Sequence, residues 1–460
     1  MGTVYAKMPD VPTSDLQGKQ EGQQTKEILL ADVPAKVEKV SIDGLGRTKN
    51  DFIIKQLEDI FTATNFEEMV FKAQGAKNRM EQLGIFRSIR VNIDVSKGEN
   101  ANPNGYDIIY LVKEQRRITG GISTLVGTNE GSVLFTMKLP NIAGRAETIS
   151  TEYTYGTKKT SGLAVQFTKP LDGNPKIRFT TAIHQHSGEY PWSGFRETSR
   201  GTSTDILFPS MLGRHNIKYE AAWRELGCMS RSTAFAIREQ AGHSFKSSIK
   251  HTFMRDMRDN HILPTDGPMI RVTQEIAGLG GDAHFHKHDI EFQINKSLFW
   301  DTVLQISLAG GMVKPIKPDR PVNILDKFFI GGPLTLRGFN LKGCGPHEDG
   351  SALGGDTYWI GGLHLYTPLP FRPGKGGFGE LFRTHFFLNA GNLVNMDLTN
   401  DPITNWEKLT HTLRLSYGLG VVFRLAGVAR LELNYCWPYR VQSGDSICPG
   451  LQFGVGISFL

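Results

Sequence analysis

The sequence predicts a β-rich membrane protein: a 16-stranded antiparallel transmembrane β-barrel behind one small N-terminal βααββ domain. Three observations lead there. Glycine supplies 51 of 460 residues, about 11% where roughly 7% is usual, and Phe and Tyr number 27 and 12. No stretch approaches the roughly 18–20 uninterrupted apolar residues of a spanning helix, and mean hydropathy is only −0.27. After Arg116 the chain breaks into alternating apolar–polar segments of roughly 9–13 residues, divided by Gly, Pro, Asn and Asp clusters.

Residues 1–36 are polar. They lack the apolar core of a secretory signal and the Arg-rich pattern of a transit peptide, and they read as a disordered tail exposed to cytosol or an organelle compartment. Ala6 stands where N-myristoylation at Gly2 wants Ser or Thr.

Residues 37–115 read as a compact α/β module. VEKVSIDG alternates as a strand and ends at a glycine. Thr48 or Asn50 caps the next helix, which carries Phe52, Ile53, Leu57 and Ile60 on one face. A second helix runs from about Phe66 to Leu83 and stops at Gly84. FRSIRVNIDV and YDIIYLVKE then form two strands around KGENANPNG.

Residues 116–460 carry the barrel. In GSVLFTMKLP, Val133, Phe135, Met137 and Leu139 share one face, with Ser132, Thr136 and Lys138 on the other. HTLRLSYGLGVVFRL and VARLELNYCW repeat the pattern. Sandwich strands usually run nearer 5–6 residues, whereas membrane β-strands need about 9–11. Seventeen segments qualify; STAFAIREQAG (232–242) follows another strand almost without a turn and reads as loop, leaving sixteen. An even count suits a single-chain barrel, at about 22 residues per strand and connection.

Between the eleventh and twelfth segments stands FFIGGPLTLRGF (328–339), apolar on a Gly-Pro frame with one arginine near its end. The last segment, QFGVGISFL, puts Phe453, Val455, Ile457 and Phe459 on one face. Gln452, Gly454, Ile457 and Phe459 also fill the β-signal of outer-membrane barrels: polar, glycine, then two spaced large apolar residues.

Together these pieces resemble the barrel subunits of the mitochondrial sorting and assembly machinery, within the BamA-like outer-membrane assembly superfamily. The likeness covers nearly the whole chain. The N-terminal module looks like a POTRA domain through its βααββ order and LGIFRSIRVNID. LPNIAGRAE (139–147) matches the turn between the second and third strands. FFIGGPLTLRGF matches the long sixth loop (326–356), with Leu336, Arg337, Gly338 and Phe339 as its tip. TPLPFRPGKGGFGELFRTHFFLNAGN (367–392) points to the mitochondrial branch.

The resemblance implies insertion and folding of β-barrel precursors, of porin and general-import-pore type, into the mitochondrial outer membrane. It implies metaxin-like cytosolic subunits as partners, a POTRA domain in the intermembrane space, and contact with an inner-membrane cristae-organising complex. It also implies that the sixth loop folds into the lumen and that Arg337 contacts the inner wall. Bacterial relatives offer acids where this chain has His364 and Asn389, so these two and Glu432 are the candidate partners of Arg337.

A lateral seam is expected where the barrel's ends meet. The first strand contains Gly120 and Gly121, flanked by Ile118 and Ile122; the last contains Gly454 and Gly456. Glycine weakens strand pairing, so the seam can part and a precursor strand can add to the exposed edge. No catalytic constellation, cofactor motif or metal-ligand set stands out. PGKGGFG lacks phosphate-loop spacing, HFHKH and the His184–His186 pair read as polar rim, and the four cysteines show no CxxC spacing. The net charge of +6 is spread along the chain, which argues against a nucleic-acid partner. The alternatives are a polypeptide-translocating pore of the same superfamily and a structural tether between the two mitochondrial membranes.

Overall fold

The structure, a computed structural model, describes residues 33–97, 102–126, 130–317, 319–369, 378–396, 401–425, 429–456 and 459–460. Most of the N-terminal tail, residues 370–377 of the 367–392 stretch, and Ile457 of the terminal motif lie outside them.

The N-terminal module comprises β1 (Lys36–Asp43), α1 (Asn50–Leu57), α2 (Phe66–Gln82), β2 (Phe86–Val95) and β3 (Gly105–Glu114). Its sheet order is β1-β3-β2, with β1 parallel and β2 antiparallel to β3. Ile53, Ile60, Met69, Met80 and Ile108 are fully buried between helices and sheet, and Tyr110 ties α2 down by donating to the Ala73 carbonyl at 3.0 Å. Asn65 caps α2 through the Glu68 amide at 2.7 Å. Neither expected cap serves α1: Lys49 occupies the cap position with no side-chain bond, Asn50 is the first residue of the helix itself, and the Thr48 hydroxyl donates to Glu114 at 2.6 Å.

Sixteen strands then form one antiparallel sheet. They are β4 (Thr119–Val126), β5 (Gly131–Pro140), β6 (Thr148–Gly156), β7 (Ser161–Pro170), β8 (Arg178–Tyr190), β9 (Phe195–Pro209), β10 (Arg214–Cys228), β11 (Gly242–Asp256), β12 (Gly267–Gly281), β13 (Phe285–Ser297) and β14 (Val303–Pro315). After the sixth loop, which holds the two-residue strands β15 (His347–Glu348) and β16 (Ser351–Ala352), come β17 (Thr357–Thr367), β18 (Phe382–Val394), β19 (Arg414–Leu425), β20 (Ala429–Arg440) and β21 (Gly450–Gly456). The expected sixteen-stranded antiparallel architecture is therefore present. The segment discounted as a strand, 232–242, carries the four-residue helix α3 (Phe235–Arg238) before Gly242 opens β11. A longer helix, α4 (Pro402–His411), lies between β18 and β19.

Burial is inverted relative to a water-soluble protein. Ile217, Trp223, Ile276, Leu308, Leu388 and Leu433 are exposed on the outer wall, while Gln293, Asn295, Gln305, Ser307, Asn389 and Asn434 are buried inside. This is the arrangement that lipid outside and a polar lumen inside select. The sheet curls around residues 326–356, which touch β10 and β11 at one end and β20 at the other.

The N-terminal module is seated on the turns beneath β5–β8. Asn141 donates to Thr48 Oγ1 at 2.8 Å, the Lys49 amide donates to the Gly144 carbonyl at 2.9 Å, and Arg145 pairs with Asp51 at 2.7 Å. Ala146 is buried in the module's own apolar core. Gly144, at φ +86°, has no alternative: a Cβ there would stand 2.6 Å from the Arg47 carbonyl oxygen. Glu114 sits at the joint. Burial opposes its ionisation, but bonds from the Thr48 hydroxyl and the amides of Thr48, Gly46 and Arg47 outweigh it and hold the carboxyl down at about 2.

Candidate functional site

The sixth loop fills the lumen because its backbone turns back on glycines. Gly331 and Gly332 have φ of +114° and +106°, and the Gly332 amide donates to the Leu336 carbonyl at 3.2 Å. That return carries Leu336, Arg337 and Phe339 to full burial. Ile330, Leu336 and Phe339 join an apolar cluster with Phe285, Val313, Ile360 and Leu393 of the wall.

Arg337 meets the inner wall at β20. Its Nε donates to Glu432 Oε2 at 3.0 Å and its Nη2 to Oε1 at 3.3 Å. Its Nη1 donates to the Leu460 main-chain oxygen at 2.7 Å and, more weakly, to Asn389 Oδ1 at 3.4 Å. Of the three candidate partners, Glu432 thus makes the two-pronged bond and Asn389 a peripheral one. His364 makes none: its Nδ1 is engaged with His385 Nε2 at 3.0 Å. Glu432 also accepts from Arg430 and, at 2.8 Å, from Asn434. A single buried carboxylate therefore neutralises two buried guanidinium groups. The Arg430 guanidinium lies 4.6 Å from the Phe459 ring centroid, and that of Arg337 lies 5.7 Å from it.

Gly338 and Phe339 are held by the end of the chain. The Gly338 amide donates to Gln452 Oε1 at 3.0 Å, and Gln452 Nε2 donates to the Phe339 carbonyl at 2.8 Å. The Cys448 amide donates to the Gly338 carbonyl at 2.8 Å, and the Leu460 amide to the Leu334 carbonyl at 3.0 Å. Gly454 and Gly456 owe their identity to this packing as well as to strand pairing. A Cβ on either would stand 2.9 Å from a loop atom, Pro333 Cβ or Leu334 Cδ2. All four cysteines are free thiols.

A second anchor carries no sequence signature. Asp326, at the head of the loop, receives Arg224 of β10 in a two-pronged bond at 2.9 and 3.0 Å and Lys246 of β11 at 3.3 Å. Its carbonyl accepts from Lys287 of β13 at 2.8 Å. The readable hint is a lone acid before an aromatic pair, with cations at lumen-facing positions of three strands.

At the ends of the sheet the pairing stops. β4 bonds to β5 and β21 to β20, and among the described residues no ladder joins β4 to β21. Residues 116–125, including Ile118, Gly120, Gly121 and Ile122, are all exposed.

Residues 141–459 match the Omp85 superfamily domain. Over its full length the chain is 48% identical to the sorting and assembly machinery component 50 homologs of Xenopus tropicalis and Homo sapiens, covering all of each. It is 34% identical to a SAM50-like protein of Drosophila melanogaster, covering 94% of this chain and 96% of that one. Its fold resembles that of BamA from Haemophilus ducreyi lacking POTRA domains 1–3, with a TM-score of 0.72 at 18% identity over 92% of this chain and 84% of that one. By sequence and by architecture, the chain belongs to the Omp85 superfamily and, within it, to the sorting and assembly machinery component 50 homologs.

Proposed function

We propose that this chain inserts and folds β-barrel precursors into the mitochondrial outer membrane by lending them the free edge of β4. The observation that carries this reading is a strand that, among the described residues, is bonded on one side only and is exposed throughout its described side chains. Such an edge is a template for β-augmentation, and in lipid its unmet amides and carbonyls cost several kcal/mol each until a partner strand satisfies them. The last strand of a precursor, carrying the same polar–glycine–apolar signal as Gln452, Gly454, Ile457 and Phe459, pairs there first. Later hairpins enlarge the hybrid sheet until the new barrel closes and leaves. No covalent step is needed.

In this reading the sixth loop is a clamp. Arg337–Glu432 and Asp326–Arg224 fix it across the lumen, and Gln452, Phe459 and Leu460 tie the last strand to it. The last strand is thereby held by the loop, while among the described residues β4 pairs with β5 alone. Residues 37–115 serve as the POTRA domain in the intermembrane space, residues 116–460 as the barrel, and metaxin-like subunits act from the cytosolic side.

The test is site-specific photo-cross-linking. A precursor arrested during assembly is expected to cross-link through its last strand to probes at Ile118 and Ile122, and not to lumen positions such as Gln293 and Gln305. Preferential lumen cross-links would favour the translocating pore. The tether reading draws on Ile54, Phe61 and Phe71, exposed apolar residues of the POTRA domain; if tethering is that domain's main task, deleting residues 37–115 leaves insertion intact.

A further inference from the structure

Helix α4 has no part in the account above, and its surroundings identify what it touches. It is docked on the ends of β17 and β18 at the rim opposite the POTRA domain, where Lys408 and Thr412 border a cavity shared with Gly345 and Pro346 of the sixth loop. Trp359 and Asn392 are register partners on β17 and β18. Both stand an even number of positions from outward residues of their strands, Leu363 on β17 and Phe386 and Leu388 on β18, and so share that face. Trp359 Nε1 donates to the Leu409 carbonyl at 3.2 Å, and Asn392 Nδ2 donates to the carbonyls of Lys408 and Leu409 at 3.1 Å each and to Thr412 Oγ1 at 2.6 Å. The outer wall thus satisfies the last carbonyls of the helix and fixes it in place.

At 3.6 residues per turn, Asn405 and Leu409 face the wall, and these two are its buried and half-buried members. Ile403, Trp406 and Thr410 fall on one flank; Thr404, Glu407 and His411 fall on the other. Ile403 is 73% exposed and Trp406 67%. A helix with one apolar and one polar flank, laid against a wall, suits a boundary between two solvents.

The boundary is marked on the neighbouring strands. Tyr417 and Trp437 are stacked across β19 and β20 with ring centroids 5.7 Å apart, Tyr435 lies tilted beside Trp437 at 4.6 Å, and Tyr439 follows two residues on. All four belong to the outward face of the same end of the barrel. Tyr and Trp collect at the level of the lipid headgroups, and α4 sits just past this belt.

We propose that α4 lies in the interfacial zone of the bilayer, with Ile403 and Trp406 among the phospholipid headgroups and upper acyl chains and Glu407 and His411 toward water. The helix extends the lipid contact of the barrel sideways, next to β17–β19, as an interfacial anchor.

The test uses the full chain in phosphatidylcholine vesicles, with Cys228→Ser and Cys448→Ser and an environment-sensitive fluorophore at Ile403→Cys, Trp406→Cys or, for reference, Glu407→Cys. A tenth of the lipid carries a nitroxide near the top of the acyl chain. Labels at 403 and 406 are expected to emit at shorter wavelength than the label at 407 and to be quenched roughly twofold more, as for a flank sunk into the headgroup boundary. Water-like emission with equal quenching at all three positions would overturn the proposal. So would shielding at 403 and 406 that appears only after cytosolic partner subunits are added, since the flank would then dock a protein. Ile403→Leu with the native Trp406, read by nitroxide quenching relative to a Trp406→Phe control, repeats the measurement without a bulky label.

Discussion

Arg337 and Glu432, 95 residues apart in sequence, form an ion pair of 3.0 Å with neither side chain accessible to solvent. The pair joins the tip of a loop to the inner wall of β20, and Glu432 serves Arg430 at the same time. Charge balance around that one carboxylate makes the two partners unequal.

Glu432→Ala removes the carboxylate shared by two buried guanidinium groups and leaves them only neutral side-chain partners and the Leu460 oxygen, whereas Arg337→Ala leaves Glu432 still bonded to Arg430 and Asn434. Breaking a buried pair from the side that leaves charge uncompensated costs about 3–5 kcal/mol. Unfolding of the reconstituted barrel, followed by heat-modified gel mobility, is expected to show the larger loss for Glu432→Ala. Arg337→Lys is expected to recover little, because a lysine cannot reproduce the two-pronged contact. An equal or reversed order for the two alanine variants would mean that the carboxylate is not the centre of the network.

Gln452 both accepts from and donates to the loop tip, so Gln452→Glu keeps the acceptor and loses the donor to Phe339. Each buried group left unmet costs about 1–3 kcal/mol. Hydrogen exchange at Gly338 is expected to accelerate in Gln452→Ala and to change less in Gln452→Glu; protection unchanged in both would deny that the last strand holds the loop.

Gly454→Ala separates two roles of the terminal glycines. Were glycine there only to weaken pairing, alanine would tighten the strand and slow precursor assembly while leaving the loop undisturbed. The 2.9 Å approach to Pro333 predicts instead that alanine pushes the loop outward. Protease cleavage within residues 328–339 is then expected to rise, a change that a pairing effect alone would not produce.

At the joint between module and barrel, Glu114 has a folded value of about 2 against an ordinary 4.5. Its carboxyl is therefore easier to ionise in the folded state. The stability it adds is complete above about pH 4.5 and is lost as pH falls toward about 2. Amide protection at Gly46, Arg47 and Thr48 should decline across that window, and Glu114→Gln should show weak protection throughout. A variant that keeps wild-type protection and its pH dependence would place the controlling group elsewhere.

The strand count was legible because a period of two, held over long segments with glycine-rich breaks, leaves few other structures. The sixth loop was legible as a motif and so was its arginine, since a charge within an apolar run needs a polar lumen. What sequence reading missed depends on contacts between distant segments. Thr48 looked like a helix cap, but its hydroxyl serves Glu114, 66 residues on. Asp326 belongs to no motif, and its partner Arg224 lies 102 residues upstream. His364 occupied the right strand for an arginine partner; its engagement with His385 follows from cross-strand geometry that alternation cannot reveal.

The most direct test of the central claim is a disulfide between β4 and β21. A series of cysteine pairs, one in residues 119–126 and one in 450–456, would identify a pair that closes under mild oxidation, and precursor assembly would be measured with the bond closed and after reduction. Assembly is expected to stop when the two strands are joined and to return with reductant. Assembly at the normal rate through a joined pair would contradict the account, because no edge of β4 would then be open to receive a strand.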